Sequence, residues 1–319
     1  MPIPPNFMEF RSIFLFNLEK SSYLKEMNKN FTSRVIAYAD SRGLSDAPTS
    51  TGIGGLSIVR ARAPSELMNT LYSPLLCFVL QGKKETAFGD KTVTFGANDT
   101  LIVSTHIPTV SQVTAASPLV PYVSLAIEID LGIIRALQAE LELDGSTSSE
   151  TASIVSGASG DELANALQRL FDLHDRPSAE QRIVAPLLVR EIHFRMLFER
   201  HSGMLRRLAR PDSHESRINR AILKLQKDYA QPIAVQELAA RAGMSPSSFH
   251  EHFKAVTAKT PLQFLKDLRL LIAQQKLSSS TMQVSAVAFD VGYESVTQFS
   301  REYARKFGHP PSHEKRQAA

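Results

Sequence analysis

A duplicated pattern in the last third of the chain restricts the possible folds more than any other feature of the sequence. The stretch "VQELAARAG" at residues 235–243 is matched by "VSAVAFDVG" at residues 284–292, and both end in glycine. A serine able to cap a helix follows each glycine, and large aromatic residues then recur four positions apart. A short helix, a glycine turn and a second helix make a helix-turn-helix, so the sequence predicts two such units.

The second helix of each unit is predicted to bury one face and expose the other. At about 100° per residue, Phe249, Phe253 and Val256 share one side of the first such helix. Phe299 and Tyr303 take the same places in the second. The outer polar residues are Ser247, His250, Glu251 and Lys254 in the first helix and Thr297, Ser300 and Arg301 in the second. We expect His252 to pack beside the preceding helix, and Ser295 with Gln298 predicts a capping box.

A long helix is predicted between the two units. Thr260 and Pro261 can open it, and its apolar stripe continues to about Leu277. Such a helix is roughly 26 Å long. Allowing for the width of the flanking units, this length can set the two outer helices ~34 Å apart, about one turn of DNA.

The region from residue 52 to residue 129 has a different residue composition and spacing. Short β-branched and aromatic segments, among them "LSIVRA", "LLCFVL" and "DTLIVS", alternate with Gly, Asp, Asn and Pro. The pattern predicts a small β-sandwich or barrel, with "FGDK" at residues 88–91 as a hairpin turn. The stretch "DGSTSSETASIVSGASG" is interpreted as a break. Two helices are predicted after it, from the spacing of Leu163, Leu167 and Leu170 and then of Val184, Leu187, Leu188, Ile192 and Met196.

Composition narrows the class of protein. A chain of 319 residues is long enough for two domains, and its one cysteine cannot form an internal disulfide. The N-terminus is a poor signal peptide, and no apolar run approaches the roughly 18 residues that span a bilayer. Residues 214–319 hold 15 Lys and Arg against 9 Asp and Glu, which is compatible with nucleic acid binding. We expect a cytoplasmic protein without a membrane partner, starting at Met1 or at Met27.

The sequence argues against an enzyme. A metal-dependent cupin needs several histidine and carboxylate ligands, yet only His106 lies between residues 52 and 129. His250 and His252 are two positions apart on a helix, so their side chains point in different directions. Cys77 is expected to be a buried structural residue, and a thiol that senses electrophiles is the alternative. No catalytic residue, metal or cofactor is predicted.

These motifs together resemble the AraC/XylS family of bacterial transcription regulators. The resemblance is carried by "ELAARAGMSPSSFHEHFKAVTAKTPLQFLKDLRLLIAQQKL" and "VAFDVGYESVTQFSREYARKFGHPP", and more loosely by "YSPLLCFVLQGKKETAFGDKTVTFGANDTLIVS". It implies an α+β protein with an N-terminal cupin-like β-barrel, flanking helices and an all-α domain of two helix-turn-helix units joined by a linker helix. We expect an extension and lead-in at residues 1–40, an effector or dimerisation domain at 41–201, a linker at 202–213 and a DNA-binding domain at 214–319. Glu314 departs from the family by replacing an aromatic residue, which affects the packing of the last turn.

The resemblance also implies the roles of individual residues. Arg301 would read guanine, Glu251 would accept from cytosine, and Lys254 would meet a phosphate. Ser247, His250, Thr297 and Ser300 would touch bases or phosphates. Strand alternation gives Cys77 and Val79 as provisional residues of an effector pocket in the barrel.

The partners that follow are double-stranded promoter or operator DNA, an unidentified small-molecule effector, RNA polymerase and a second copy of the chain. The main prediction is a sequence-specific transcription regulator controlled by that effector. The alternative is a DNA-binding protein without a ligand, in which the barrel only dimerises. A metal-dependent cupin enzyme fused to a DNA anchor is disfavoured.

Overall fold

The structure is a computed structural model that describes residues 29–44, 47–142, 152–199 and 203–317. Most of the predicted extension, with the choice between Met1 and Met27, lies outside these ranges. Residues 29–41, at the end of the predicted lead-in, form helix α1. Its residues Phe31, Val35 and Ala39 are buried in a hydrophobic core, so α1 is a packed part of the N-terminal domain.

Two antiparallel sheets make up the first half of the chain. Their strands are β1 (Thr49–Ser50), β2 (Leu56–Ala61), β3 (Met68–Tyr72), β4 (Leu75–Gln81), β5 (Lys83–Phe88), β6 (Lys91–Gly96), β7 (Asp99–Val103), β8 (Ile107–Ala115), β9 (Tyr122–Glu128) and β10 (Ile154–Ala158). One sheet has the order β1-β2-β9-β4-β7-β10 and the other β3-β8-β5-β6. The predicted β-rich domain is confirmed, and so is the two-residue hairpin turn after Phe88, which pairs with Lys91.

Side-chain alternation along the six-stranded sheet separates two cores. In β4, Leu76, Phe78 and Leu80 pack in one core with α1 and the helices that follow the barrel. Cys77 and Val79 lie on the other face, toward the barrel interior. The inner and outer faces therefore follow the period of two that a strand imposes.

Strand β10 lies inside the stretch that the sequence analysis interpreted as a break. Residues 144–151 of that stretch are outside the described ranges, but Ile154–Ala158 pairs with β7 at the sheet edge. The prediction of an unstructured break is therefore wrong for these five residues. The small residues of "IVSGA" gave no clear strand signal, and pairing with β7 supplies the order that local preference does not.

The helices that follow the barrel strands cover the outer face of the larger sheet. They are α2 (Leu131–Glu140), α3 (Asp161–Asp172), α4 (Ser178–Met196) and α5 (Gly203–Ala209). The predicted apolar face of α4 is correct at Leu188, Ile192 and Met196, but Leu187 is 63% exposed. Helix α5 occupies most of the predicted linker at residues 202–213 and buries Leu205 in the same core.

The last third of the chain is helical. It contains α6 (His214–Lys227), α7 (Val235–Arg241), α8 (Pro246–Thr257), α9 (Pro261–Ser279), α10 (Val284–Asp290), α11 (Val296–Phe307) and α12 (Ser312–Gln317). The duplicated units are α7 with α8 and α10 with α11, and α9 is the predicted long helix between them. Helix α6 packs in one core with α7 and α8, so we count it with the first unit. We call α6–α12 the reader domain. In the described ranges, no helix is both long enough and apolar enough to cross a membrane.

A buried histidine ties α4 to the start of α2. His193 is fully buried, and its Nδ1 donates to the Val189 carbonyl oxygen at 2.7 Å. Its Nε2 accepts the Asp130 backbone N–H at 2.8 Å, and the Asp130 carboxylate caps α2. Burial lowers the pKa of His193 from its ordinary value of 6.5. A proton on Nε2 would place a donor against a donor, so the folded state holds the neutral ring.

We expect the free energy of unfolding to fall as the pH is lowered below about 6.5, because the unfolded chain then binds a proton that folded His193 does not. For one such group the slope approaches about 1.4 kcal/mol per pH unit. Urea denaturation at pH 7.5 and 5.5 measures it. His193→Gln should flatten the slope, while His250→Gln, at an exposed position, should keep it. An unchanged slope in His193→Gln would assign the acid sensitivity to other groups.

Candidate functional site

The first recognition surface lies on α8. Ser245 caps this helix by accepting from the Ser248 N–H, and Pro246 occupies its first turn. Phe249 and Phe253 are fully buried and hold the helix against the rest of the unit. Ser247, His250, Glu251 and Lys254 are exposed, and none of their side chains has a hydrogen bond or ion pair within the described residues.

The second recognition surface lies on α11. Phe299 and Tyr303 are fully buried at the places that Phe249 and Phe253 take in α8. Thr297 and Arg301 are exposed and Ser300 is half-buried, again without a polar partner in the described ranges. The seven sequence-derived residues thus form two polar stripes, which we name stripe 1 (Ser247, His250, Glu251 and Lys254) and stripe 2 (Thr297, Ser300 and Arg301).

The predicted capping box of α11 forms only by half. Ser295 accepts from the Gln298 N–H at 3.3 Å, as expected. The Gln298 side chain instead donates to Glu302 at 3.2 Å. A complete capping box occurs at the start of α9, between Thr260 and Gln263.

The inner side of α11 contains a buried carboxylate that the sequence analysis did not identify. Glu302 accepts hydrogen bonds from Lys266 and from the Tyr293 hydroxyl, each at 3.0 Å. Burial alone would raise the pKa of Glu302, but the bonds from Lys266, Gln298 and Tyr293 outweigh it and lower the pKa. In the register of the two units Glu302 corresponds to His252, which stacks on His214 at a ring separation of 3.9 Å. His214 begins α6, so the ring that His252 packs against belongs to α6 and not to the preceding helix α7, where the prediction placed it.

Glu314 has a structural role in place of the aromatic residue that the family resemblance leads one to expect. Its carboxylate accepts from the Tyr303 hydroxyl at 2.8 Å, from Gln274 at 3.0 Å and from Ser278 at 3.3 Å. These bonds join α12 to α9 and α11. The last turn is therefore fixed by buried polar contacts rather than by aromatic packing.

One arginine connects the two helix-turn-helix units. From α9, Arg269 donates to the carbonyl oxygens of Tyr229 at 2.7 Å, Gly292 at 2.8 Å and Gln231 at 3.0 Å. Tyr229 and Gln231 follow α6 of the first unit, whereas Gly292 belongs to the turn of the second. The rigid guanidinium fork thereby sets the position of one unit relative to the other.

Close backbone packing also fixes the two units relative to each other. Gly292 has φ of +87°, and a Cβ there would lie 2.9 Å from Ala230 Cα and closer still to the Ala230 carbonyl oxygen. On the other side of α9, Asp267 accepts from Lys306 at 2.7 Å and from Lys259. We name Arg269, Gly292 and Ala230 the inter-unit joint.

The barrel contacts the first unit at three points. The Thr105 hydroxyl bonds Asn219 of α6 at 2.5 Å, and the Ser153 N–H donates to the Val256 carbonyl oxygen of α8 at 3.3 Å. At the hairpin turn, Gly89 has φ of +62°, and a Cβ there would lie 2.7 Å from the Ala258 carbonyl oxygen and closer still to Ala258 Cβ. The inner barrel core continues without interruption into the first unit.

A cavity of about 260 Å³ lies between the two sheets of the barrel. Cys77 lines it together with Val59, Leu71, Phe95 and Leu101. Val79 does not line this cavity and is fully buried in the inner core. Burial raises the pKa of Cys77, so the thiol form is favoured over the reactive thiolate. Across the described ranges, no three His, Cys, Asp or Glu side chains are grouped as a metal site would need.

Comparisons with known proteins agree with this architecture. Residues 52–204 match the model of the AraC-type transcriptional regulator N-terminus, and residues 238–317 match that of a helix-turn-helix domain. SoxS of Escherichia coli is 30% identical over 100 residues, which cover 31% of this chain and 94% of SoxS. The chain belongs to the AraC family of transcription regulators. It is a DNA-binding protein of this family, and its AraC-type reader domain is the part shared with SoxS.

For two other relatives, the match covers a smaller share of the relative's own length. ExsA of Pseudomonas aeruginosa is 27% identical over 152 residues, which are 47% of this chain and 53% of ExsA. AlkR of Acinetobacter baylyi is 36% identical over 88 residues, 28% of this chain and 29% of AlkR. The chain thus matches from about a third to about half of these two relatives.

Solved structures extend the likeness to both domains. A ToxT structure from Vibrio cholerae has a TM-score of 0.54 at 12% identity and covers 81% of this chain and 96% of ToxT. Wild-type ToxT with a bound unsaturated fatty acid gives 0.53 at 10% identity, covering 81% and 92%. At this identity the likeness shows the fold: an AraC-type barrel followed by the helix-turn-helix domain.

For this AraC-type regulator we expect Arg269→Lys to weaken operator binding by about 1–3 kcal/mol, because one ammonium cannot replace three bonds from the guanidinium fork. The joint makes a sharper test possible. An operator with one base pair inserted between its two contacted groove segments should be strongly rejected by the native chain and less so by Arg269→Lys. Gel-shift titrations measure both affinities.

Arg135→Lys, at an exposed position of α2, is the control. Equal rejection of the inserted operator by native and variant chains would contradict the positioning role.

The barrel contact can be tested separately with Gly89→Ala. We expect it to cost more stability than Gly52→Ala, because both glycines have positive φ but only Gly89 faces a close neighbour. The backbone alone accounts for about 1 kcal/mol at each position. Adding Ala258→Gly should recover part of the excess, with a coupling above about 0.5 kcal/mol. Thermal denaturation of the single and double variants measures it, and equal costs at the two glycines would contradict the contact.

Proposed function

We propose that this AraC-type regulator reads promoter or operator DNA with both recognition helices of one monomer, and that a small molecule in the barrel cavity alters its affinity for DNA. It acts in the cytoplasm, with the DNA. A second copy of the chain and RNA polymerase are further proposed partners.

The observation that carries the proposal is a contrast between charged side chains that form ion pairs inside the reader domain and charged side chains on the stripes that have no partner. Around α9, Lys259, Lys266 and Lys306 all pair with carboxylates. On the two stripes, Arg301, Lys254 and Glu251 have no partner within the described ranges. Two equivalent helices that each present unpaired polar side chains are suited to the edges of bases and to phosphates.

The chemistry of each residue gives its proposed contact. The Arg301 guanidinium matches the two major-groove acceptors of guanine, and the Glu251 carboxylate can accept from the amino group of cytosine. Lys254 is a mobile point charge suited to a phosphate. His250, Ser247, Thr297 and Ser300 supply shorter contacts to bases or to the backbone.

The barrel cavity supports control by an effector. A concave, mainly apolar space with a few polar groups is the usual form of a small-molecule site. ToxT, which has the same fold, has been solved with an unsaturated fatty acid bound. The second candidate is a regulator without a ligand, in which the barrel only mediates dimerisation. It is favoured if filling the cavity leaves operator affinity unchanged.

We expect Arg301→Ala to lose about 1–3 kcal/mol of specific binding and to relax base preference at one position. Lys254→Ala should weaken all sequences alike and reduce the slope of log affinity against log salt by about one. Selection of bound sequences from a random pool and salt titrations measure these effects. Arg182→Ala, on the barrel-covering helix α4, is the control. An Arg301→Ala chain with native affinity and native preference would remove Arg301 from the interface.

A further inference from the structure

The size of the barrel cavity restricts what it can hold. About 260 Å³ is slightly below the range of roughly 300–1,000 Å³ usual for drug-sized ligands. A ligand of roughly a dozen non-hydrogen atoms would fill this space, and a longer chain would extend beyond it. The walls are mainly aliphatic and aromatic, so most of the ligand must be apolar.

A single ammonium group enters this apolar space. Lys84 lines the cavity from β5 and shares its inward face with the buried residues Thr86 and Phe88. Its Nζ lies 5.7 Å from the centre of the Tyr72 ring. Within the described ranges its ammonium group has no ion pair or hydrogen bond, unlike those of Lys259, Lys266 and Lys306 around α9. A half-buried cation without a counter-ion is costly, and an anion brought by a ligand would offset that cost.

A second polar group lies on the cavity wall. Ser124 is 1% exposed, lines the cavity from β9, and its Oγ makes no hydrogen bond of good geometry among the described residues. The Cys77 thiol and the Tyr122 hydroxyl are nevertheless close enough to interact with it. A ligand that offers a well-placed acceptor would complete the hydrogen bonding of this hydroxyl.

Among the described residues, Glu128 is the one carboxylate on the lining, and it belongs to the rim. It ends β9 and is exposed to solvent, whereas Lys84 is half-buried. A hydrated carboxylate at the rim needs no ligand to neutralise it. The unmet charge inside the cavity is therefore positive.

We propose that the cavity binds a compact amphipathic monocarboxylic acid, such as an arylalkanoate, with its carboxylate on Lys84 Nζ and its body against the apolar wall. Ser124 Oγ donates a hydrogen bond to a polar atom of the same ligand. This inference rests on the proposed effector function and names the class of effector.

The test uses the full chain and calorimetric titration with benzoate, phenylacetate, 4-phenylbutanoate, 1-naphthoate and octanoate. Primary amides of the same acids are neutral isosteres, 4-phenylbutylammonium tests the rim carboxylate, and palmitate tests the size limit. At least one compact acid should bind, about 10- to 100-fold tighter than its amide. Lys84→Met should remove this preference and Lys84→Arg should keep most of it.

The neighbouring lysine provides the matched control. Lys83 is exposed on the outer face of the same strand, so Lys83→Met should bind the acid as the native chain does. Ser124→Ala should reduce the ligand-induced shift in melting temperature, because it removes the proposed hydrogen-bond donor to the ligand. A purely structural role for Ser124 would change the melting temperature of the free chain and leave the ligand-induced shift as it is in the native chain.

Failure of every acid to bind, or equal affinity for acid and amide, overturns the proposal. Acid binding that survives Lys84→Met overturns the assignment of the carboxylate.

Operator titrations with and without the bound acid separate this inference from the proposed function. If a neutral or cationic probe changes operator affinity and the acids do not, effector control stands and the acid class is wrong. If an acid binds through Lys84 without changing operator affinity, the site is correct and its regulatory role is wrong.

Discussion

Three hydrogen bonds from the guanidinium group of Arg269 hold the reader domain together as one object. A protein that reads two groove segments needs its recognition helices at a fixed separation and a fixed rotation. The linker helix α9 alone fixes only a length, because each unit could still rotate about its own connection. Arg269 bonds backbone oxygens on both sides, and the Gly292 backbone lies against Ala230 where no side chain would fit. These contacts convert two tethered units into a single body, so binding DNA need not order them first.

The barrel packs directly against the reader domain and is not connected to it by a linker alone. The segment predicted as a polar linker contains α5, whose apolar residues are buried with the helices of the first domain. Contacts at Thr105, Ser153 and Gly89 all reach the first unit, within α6, within α8 or just after α8. A change in the shape of the barrel can therefore act on α6 and α8, and also on α9, whose residues Phe264, Leu265 and Leu268 share the inner barrel core. Allosteric control requires differential contacts in two states, and this interface is where those contacts can differ.

The sequence predicted features that depend on local periodicity. Phe249 and Phe253 repeat in Phe299 and Tyr303, and the duplicated spacing gave both recognition helices and their outer stripes. It did not predict contacts that depend on tertiary position. Arg269 lies on a helix with ordinary charged residues, and nothing in its neighbourhood shows that three carbonyl groups from distant segments converge on it. Glu302 and Glu314 look like solvated helix residues, yet both are buried acceptors. His193 and strand β10 were missed for the same reason, since their partners are about 50 to 60 residues away in the chain. The alternation that placed Cys77 and Val79 on the inner face was correct, but only the shape of the cavity shows that Cys77 lines it and Val79 does not.

Strand β7 provides one covalent and hydrogen-bonded route from the cavity to the reader domain. Leu101 of β7 lines the cavity, pairs with Cys77 on one side and pairs with Ser156 of β10 on the other. Two residues beyond the end of β7, Thr105 bonds Asn219, and at the start of β10 Ser153 bonds Val256. Paired strands are stiff along their length, because a shift of one backbone must be matched by its neighbours in the sheet. A ligand that moves the wall at Leu101 thus moves two of the three barrel contacts together. The geometry favours concerted displacement of α6 and α8 over independent loosening of either helix.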